Sequence, residues 1–418
     1  MGFFASLFEE SVSDLRAGAE CDASVAPEKL VSASVRYYTQ RSKTPVELEK
    51  KLGEGGEGSV YAVEDHPKVV AKIYAPSQRT DARLKKLERI LSKRITIEEI
   101  KQCHIAMPLE ILVDKEGGFV GYLMPKVDGI ALKNAYFSRQ RIERRFPDAN
   151  RLTLVIFCIH FLRQAEFLHS RGMLIGDVNP LNIMVDPARP KKGWLVDTDS
   201  FQVDELPCPV GTDIFTPPSL QNRDFKTTLR SREDEYFSIA IMIFMILMLG
   251  KHPYSRKGGG NPSDNIKKHL FPYRSMGRLD DVPAGIWGFV WSHFPRRLKE
   301  TFERVFRDEE RIDLQEWRSI LIQYASFIEM GYFTQEIVPL SFRSRDAEPV
   351  RCRDCGRSFL IDRGFLKKLT IQGKAPVCSL CRQKIQATIM TRKNGKKVSD
   401  AVKQARFNAK STHYKEIR

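Results

Sequence analysis

The stretch from Val46 to Tyr74, VELEKKLGEGGEGSVYAVEDHPKVVAKIY, constrains the fold more than any other. Apolar and polar residues alternate on both sides of a glycine cluster, and EDHP is a turn, so the segment reads as strand, loop, strand, turn, strand. Gly53, Gly55 and Gly58 allow the backbone to come close to a polyphosphate and aim amides at its oxygens. A dinucleotide-binding unit would place such glycines between a strand and a helix; here SVYAV continues as a strand and Lys72 follows in VVAKIY.

The chain then changes period. DARLKKLERILS predicts a helix with Leu84, Leu87 and Leu91 on one face, and MPLEILVD and FVGYLMPKV around KEGG predict a hairpin. RLTLVIFCIHFLRQAEFLHSRG is a long apolar helix closed by Gly172, and it delivers the chain to IGDVNPLNIMVD, a polar bend followed by a short strand. The longest apolar run, FSIAIMIFMILMLG at 237 to 250, is shorter than the roughly 20 residues of a membrane span and comes after the charged SREDEY, so it is a buried core helix and no transmembrane segment is expected. RKGGGNPSD, at 256 to 264, is a surface loop.

Taken in order, the glycine loop, VVAKIY, the hinge-like LMPKVDG, IGDVNPLN, VDTDSF, GTDIFTPPSL, EDEYFSIA, KHPY and FRDEERIDLQEW make the chain from about 50 to 320 resemble a Ser/Thr-type protein kinase. GDVNP with DTDSFQV and FTPP resembles more narrowly a divergent bacterial branch, whose members are often found with von Willebrand A-type proteins and metal-dependent protein phosphatases; such proteins are the implied partners. The resemblance implies an α+β, bilobal protein-kinase-like fold, with a small lobe at 46–125, a mainly helical lobe at 126–330, and ATP with Mg2+ or Mn2+ between them.

It also implies roles for residues. Asp177 matches the catalytic aspartate that accepts the proton of the acceptor hydroxyl, and Asn182 matches the asparagine that holds magnesium, with Pro180 stiffening the turn between them. Lys72 would hold the α- and β-phosphates and pair with a helix glutamate, Glu88 in our reading, with Glu98 and Glu99 as competitors. Asp197 fits the second magnesium-binding position, and Asp199 is the competing assignment or shares the cation. Met124 sits at the gatekeeper position, and Pro125, Lys126 and Val127 would line the adenine pocket together with Val60 and the glycines. Against each stands a plainer reading: an Asx-rich surface turn, an exposed strand lysine, an acidic turn, a core methionine.

Three departures from the family pattern matter. Ile175 and Gly176 precede Asp177 where His-Arg is usual, so the arginine that reads a phosphorylated activation loop is missing, and activity should not depend on a phosphate at Thr212 or Thr216. Asn179 stands in place of a lysine near the γ-phosphate, which removes positive charge where the transition state is most negative. Pro217, Pro218 and Ser219 replace Ala-Pro-Glu, which deprives Arg311 of its usual carboxylate. These changes keep open a pseudokinase scaffold as the second function class, although Lys72, Asp177, Asn182 and Asp197 are all retained.

Cys352-x2-Cys355 and Cys378-x2-Cys381, separated by 22 residues, are spaced for two knuckles around one structural Zn2+. Four thiolates fill the coordination shell and leave no place for a reacting water. We place residues 1–45 as an N-terminal extension, 331–350 as a linker, 351–385 as the four-cysteine module and 386–418 as a basic tail. The formal charge of +16 is concentrated after Arg382, where the basic residues face only Asp400 and Glu416. That tail, with Phe407 and Tyr414, makes a nucleic-acid or acidic-partner adaptor the third hypothesis, beside a simply solvated face. The opening MGFFAS fits the form Met-Gly-x-x-x-Ser, but LFEESVSDLRAGAECD after it lacks the basic flank of a secretion signal, and a cytoplasmic protein is expected.

Overall fold

The computed structural model describes residues 36–339, 347–356, 358–378 and 381. The first 35 residues of the expected extension, part of the linker and the basic tail lie outside the described residues.

Six antiparallel strands form the first part of the chain: β1 (Arg36–Thr39), β2 (Pro45–Gly55), β3 (Gly58–Val63), β4 (Val69–Tyr74), β5 (Glu110–Val113) and β6 (Phe119–Pro125). They close into a barrel in the order β1-β2-β3-β4-β6-β5. The alternating stretch supplies β2 to β4, and KEGG joins β5 to β6. The boundary read at 46 moves forward, because β1 pairs with β2 on one side and with β5 on the other, Tyr38 opposite Val113. Four residues are too few to show a period, and the β5 pairing is remote in sequence. At the β3–β4 seam glycine is obligatory: a Cβ on Gly58 would lie 2.2 Å from the Ile73 carbonyl oxygen.

Helix α1 (Asp81–Ser92) follows β4, capped by the Thr80 hydroxyl, and α2 (Ile97–Cys103) starts with a reciprocal Thr96–Glu99 capping box and ends at His104 in the left-handed region. Such a cap contributes about 1 kcal/mol. The rest of the chain is mainly helical: α3 (Arg151–Ser170), α4 (Arg232–Leu247), α5 (Arg296–Phe306) and α6 (Leu314–Glu329), with shorter helices between them. Helices α3 and α6 pack along each other, and α4 lies against α3.

Every residue of α4 from Phe237 to Leu247 is buried, as the apolar run predicts. Phe244 centres an aromatic cluster, with the rings of Tyr273 and Phe302 at 5.3 and 5.1 Å in edge-on geometry. By length and composition α3 could cross a membrane, yet 67% of its apolar window is buried inside the protein. One continuous core runs from Val46, Ala71 and Leu123 in the barrel to Phe161, Phe244 and Trp317 in the helices.

Five short strands, β7 (Ile130–Ala131), β8 (Met173–Leu174), β9 (Ile183–Val185), β10 (Gly193–Leu195) and β11 (Gln202–Val203), form two small sheets ordered β10-β9-β7 and β11-β8. Their register matters for the site, because Ile183 opposite Leu195 brings Asn182 beside Val196. The C-terminal part is a hairpin of β12 (Ala347–Arg351) and β13 (Ser358–Asp362) followed by α7 (Arg363–Ile371), with Cys352, Phe359, Ile361 and Cys378 as its small core.

Candidate active site

Lys72 lies mid-strand in β4, buried to 8% exposure, and a buried ammonium needs partners. Its Nζ donates to Asp197 Oδ1 at 2.7 Å and to both oxygens of Asp199, at 2.9 and 3.0 Å. A third carboxylate, Glu57 of the glycine loop, is 3.8 Å away. Burial would depress the lysine, but Asp199 and Asp197 outweigh it and raise its pKa above the ordinary value.

Asp199 is fully enclosed. The hydroxyl of Tyr74 donates to its Oδ2 at 2.5 Å and that of Tyr122 to its Oδ1 at 2.7 Å. Burial by itself would raise this carboxyl; Lys72 and the two hydroxyls prevail and bring it to about 2. A buried ion pair holds when its remaining lone pairs are satisfied in this way, and removing one partner of such a pair costs about 3–5 kcal/mol.

Asp197 differs from its neighbour. Its side chain is 40% exposed, and its backbone is left-handed, at φ 59° and ψ 37°, a conformation that an aspartate adopts at modest cost. The β9–β10 register ties it to Asn182, since the Val196 amide donates to the Asn182 carbonyl at 3.0 Å. Asp177, Asn179, Asn182 and Val196 border one small, mostly apolar void together with Phe161 and Phe201. The Thr212 hydroxyl donates to Asp177 Oδ1 at 3.1 Å.

The bend before Asp177 is fixed from below. Gly176 has φ +74°, and a Cβ there would sit 2.4 Å from the Cβ of Cys208. Its amide donates to Glu235 Oε2 at 2.7 Å, and Glu235 Oε1 is 2.8 Å from His169 Nε2. The buried Arg230 guanidinium would lie 3.5 Å from the same Cβ, and it donates to the carbonyls of Cys208 and Val210 at 2.9 and 2.7 Å. Thr216 is buried, with its hydroxyl donating to the Thr212 carbonyl.

Some expectations need correction. Glu88 is exposed on α1 and does not meet Lys72, whose carboxylate partners are Asp197, Asp199 and Glu57; the buried positions of α1 are Lys86, Leu87 and Ile90. Both oxygens of Asp199 are engaged by Lys72, Tyr74 and Tyr122, and with Glu57 and Asp197 it forms a carboxylate group that could hold a metal ion. The Lys126 amide donates to the Lys68 carbonyl at 2.8 Å, and its side chain is exposed beside Asp128. Met124 packs at the edge of the cluster of Tyr74, Leu87, Ile111 and Tyr122, and Val60 stands opposite Lys72 in the sheet. Gly53 and Gly55 are exposed in the β2–β3 hairpin, where an added Cβ would meet nothing within 4 Å. Arg311, which the sequence leaves without the family's carboxylate, lies over the Phe237 ring at 5.4 Å, a cation–π contact.

The residues that sequence reasoning missed have different visibility. Tyr74 follows Lys72 by two and must share its face of the strand, so it was legible. Tyr122, Glu57, Arg83, Lys86, Arg230 and Glu235 reach the site through register and tertiary packing. Arg83 clasps Glu57 with two hydrogen bonds of 2.8 Å and lies over the Tyr74 ring, and Lys86 donates to the carbonyls of Ser200 and Pro207 at 2.9 and 2.6 Å.

In the C-terminal part the four thiols of Cys352, Cys355, Cys378 and Cys381 lie within 4.8 Å of one another, and Cys355 and Cys378 are 3.8 Å apart. A tetrahedral Zn2+ with sulfur bonds of about 2.3 Å has S–S edges of about 3.8 Å, so the cluster could hold zinc. Burial would raise the Cys352 thiol, but amides including that of Cys378 outweigh it and lower it to about 7.

Comparison with known proteins adds kinship. The chain is 32% identical over 289 residues to the protein kinase YegI of Escherichia coli K12, covering 66% of this chain and 44% of that protein. To YegI of Escherichia coli O157:H7 it is 32% identical over 270 residues, 62% of this chain and 41% of the relative. The chain thus spans under half the length of these curated relatives. Among solved structures, one described as the ROP18 kinase domain in complex with AMP-PNP and sucrose aligns over 71% of this chain and 87% of its own, with a TM-score of 0.44 and 16% identity. No family model matches. The kinship in sequence makes this a kinase-like protein.

Proposed function

We propose that the protein transfers the γ-phosphoryl group of ATP to serine or threonine hydroxyls of a protein substrate, between a barrel lobe and a helical lobe. The observation that supports this most is a chain of contacts: Lys72 of β4 is bonded to Asp197 after β10, the adjacent Val196 amide is bonded to the Asn182 carbonyl, and Asn182 shares the bend after β8 with Asp177. Phosphoryl transfer asks mainly for positioning and charge neutralisation, and these residue types provide both.

In this reading the exposed amides of the glycine loop approach the phosphates, and the Lys72 ammonium orients the α- and β-phosphates. Asp197 and Asn182 would hold Mg2+ or Mn2+, which neutralises phosphate charge when bound. Asp177 orients the acceptor hydroxyl and takes its proton; its contact with the Thr212 hydroxyl is the geometry such a step needs. The activation segment is ordered without phosphate, because Arg230 and Lys86 already engage its carbonyls and Gly176 leaves no room for a phosphate-reading arginine. The four cysteines hold a structural Zn2+.

The test is phosphorylation of the chain itself or of a generic basic protein with ATP and Mg2+ or Mn2+, comparing wild type with Lys72→Ala and Asp177→Ala. Transfer by wild type, lost in both variants, is expected. Equal background in all three, without a nucleotide-induced thermal shift, would favour the scaffold function instead.

A further inference from the structure

In the arrangement that the sequence suggested, a glutamate on α1 holds the phosphate-binding lysine. The structure contains another. Helix α1 turns cations toward the site: Arg83 goes to Glu57, and Lys86 to the Ser200 and Pro207 carbonyls, while Glu88 points into solvent. A basic helix face repels an ammonium and cannot anchor it.

We propose that Asp199 is the positioning residue for Lys72, so that the activation segment, and not helix α1, supplies the carboxylate that holds the lysine in place. Asp199 meets the Lys72 amine with both oxygens, at 2.9 and 3.0 Å. Its own position is set by two hydroxyls on the same patch of sheet as the lysine: Tyr74 lies two residues along β4, and Tyr122 is the register partner of Lys72 on β6. The carboxylate stands in the short 3-10 turn Thr198–Ser200, whose Thr198 hydroxyl is bonded to the Ala106 carbonyl at 2.8 Å. Each Asp199 oxygen is taken twice, while Asp197, 40% exposed against 1% for Asp199, is the more open of the carboxylates that could hold a cation.

This division of labour rests on the proposed role of Lys72 in phosphoryl transfer, and it has a consequence. Asp197 and Asp199 arrive on one turn, so lysine and cation sites assemble together as that turn docks. A shift of α1 would loosen Glu57, Ser200 and Pro207 and the 3.6 Å contact of Arg83 with Asp199, while the Lys72–Asp199 hydrogen bonds themselves run between the sheet and the turn.

The test is a double-mutant cycle on the full chain, reading kcat and KM for ATP and the affinity for a fluorescent ATP analogue. Asp199→Asn should lower kcat/KM roughly 100-fold, with weaker nucleotide binding. In a Lys72→Met background the same change should add less than about twofold, because its effect passes through the lysine. Tyr74→Phe with Tyr122→Phe keeps both rings and should move kcat/KM in the same direction, which serves if Asp199→Asn does not fold. Glu88→Gln should match wild type; a loss there comparable with that of Asp199→Asn would overturn the assignment. So would wild-type kcat/KM in the double tyrosine variant, or full additivity of Asp199→Asn with Lys72→Met. If wild type transfers no phosphoryl group yet binds the analogue, the transfer reading fails alone, and weaker binding by Asp199→Asn still supports the pairing. No binding by wild type overturns both.

Discussion

Gly176 shows how much one atom decides at the residue scale. The family pattern suggests that an arginine here would restore phosphate reading, but a positive φ, the side chain of Cys208 and the nearby Arg230 guanidinium forbid it. Gly176→Arg should therefore destabilise the protein, by more than about 2 kcal/mol, and reduce phosphoryl transfer rather than make it phosphate-responsive. Thermal unfolding and a transfer assay check this; a folded variant with wild-type rate would contradict it. Sequence legibility varied with the range of the contact. Lys72, Asp177, Asn182 and Asp197 stand in short motifs, and Tyr74 was implied by strand alternation. Glu88 misled because the stripe of Leu84, Leu87 and Leu91 marks the apolar face of α1 but is silent on which flank meets the segment after Asp199. The flank that meets it carries Lys86, bonded to the Ser200 and Pro207 carbonyls, while Arg83 is bonded to Glu57.

At the scale of elements, α1 works as a cationic clamp. Beyond Arg83 and Lys86, Arg89 reaches Glu205 at 3.0 Å and Lys93 reaches Asp204 at 2.6 Å, all toward the segment after Asp199. The outer pairs are largely exposed and screened by solvent, so the buried Lys86 carries most of the ordering. The 3.6-residue spacing of these cations was visible in the sequence, but their partners were not. A second tie joins the loop after α4 to the same segment. His252 Nδ1 accepts the Tyr254 amide, and Nε2–H donates to the Ile214 carbonyl at 2.8 Å, so the neutral ring uses both nitrogens. Burial depresses its pKa from 6.5 to about 4. The unfolded chain therefore takes up a proton at a pH where the folded one does not, and stability present above about 6.5 falls as pH drops toward 4. Calorimetry should find the Tm falling through that window and a shallower slope in His252→Asn. Identical slopes would contradict the assignment.

For the whole molecule, one core links barrel and helices, and the motifs were readable before any fold because each is a short stretch of local sequence. The closing of the barrel by β1 was not readable, because its partner β5 lies far along the chain. The four-cysteine part has a core of its own, so its metal should be separable from catalysis. Purified protein should carry about one Zn2+ per chain by elemental analysis, lost in Cys352→Ser, while transfer to a small generic acceptor persists. Zinc retained at full stoichiometry by that variant would show that the cluster is not its binding site. The central claim, that the bend at Asp177 does chemistry while Lys72, Asn182 and Asp197 hold the nucleotide, is met most directly by Asp177→Asn, which keeps the shape and removes the proton acceptor. Measured with saturating Mg2+, this variant should keep the KM for ATP within about threefold and lose roughly 100-fold or more of kcat. Unchanged kcat in Asp177→Asn would contradict the account.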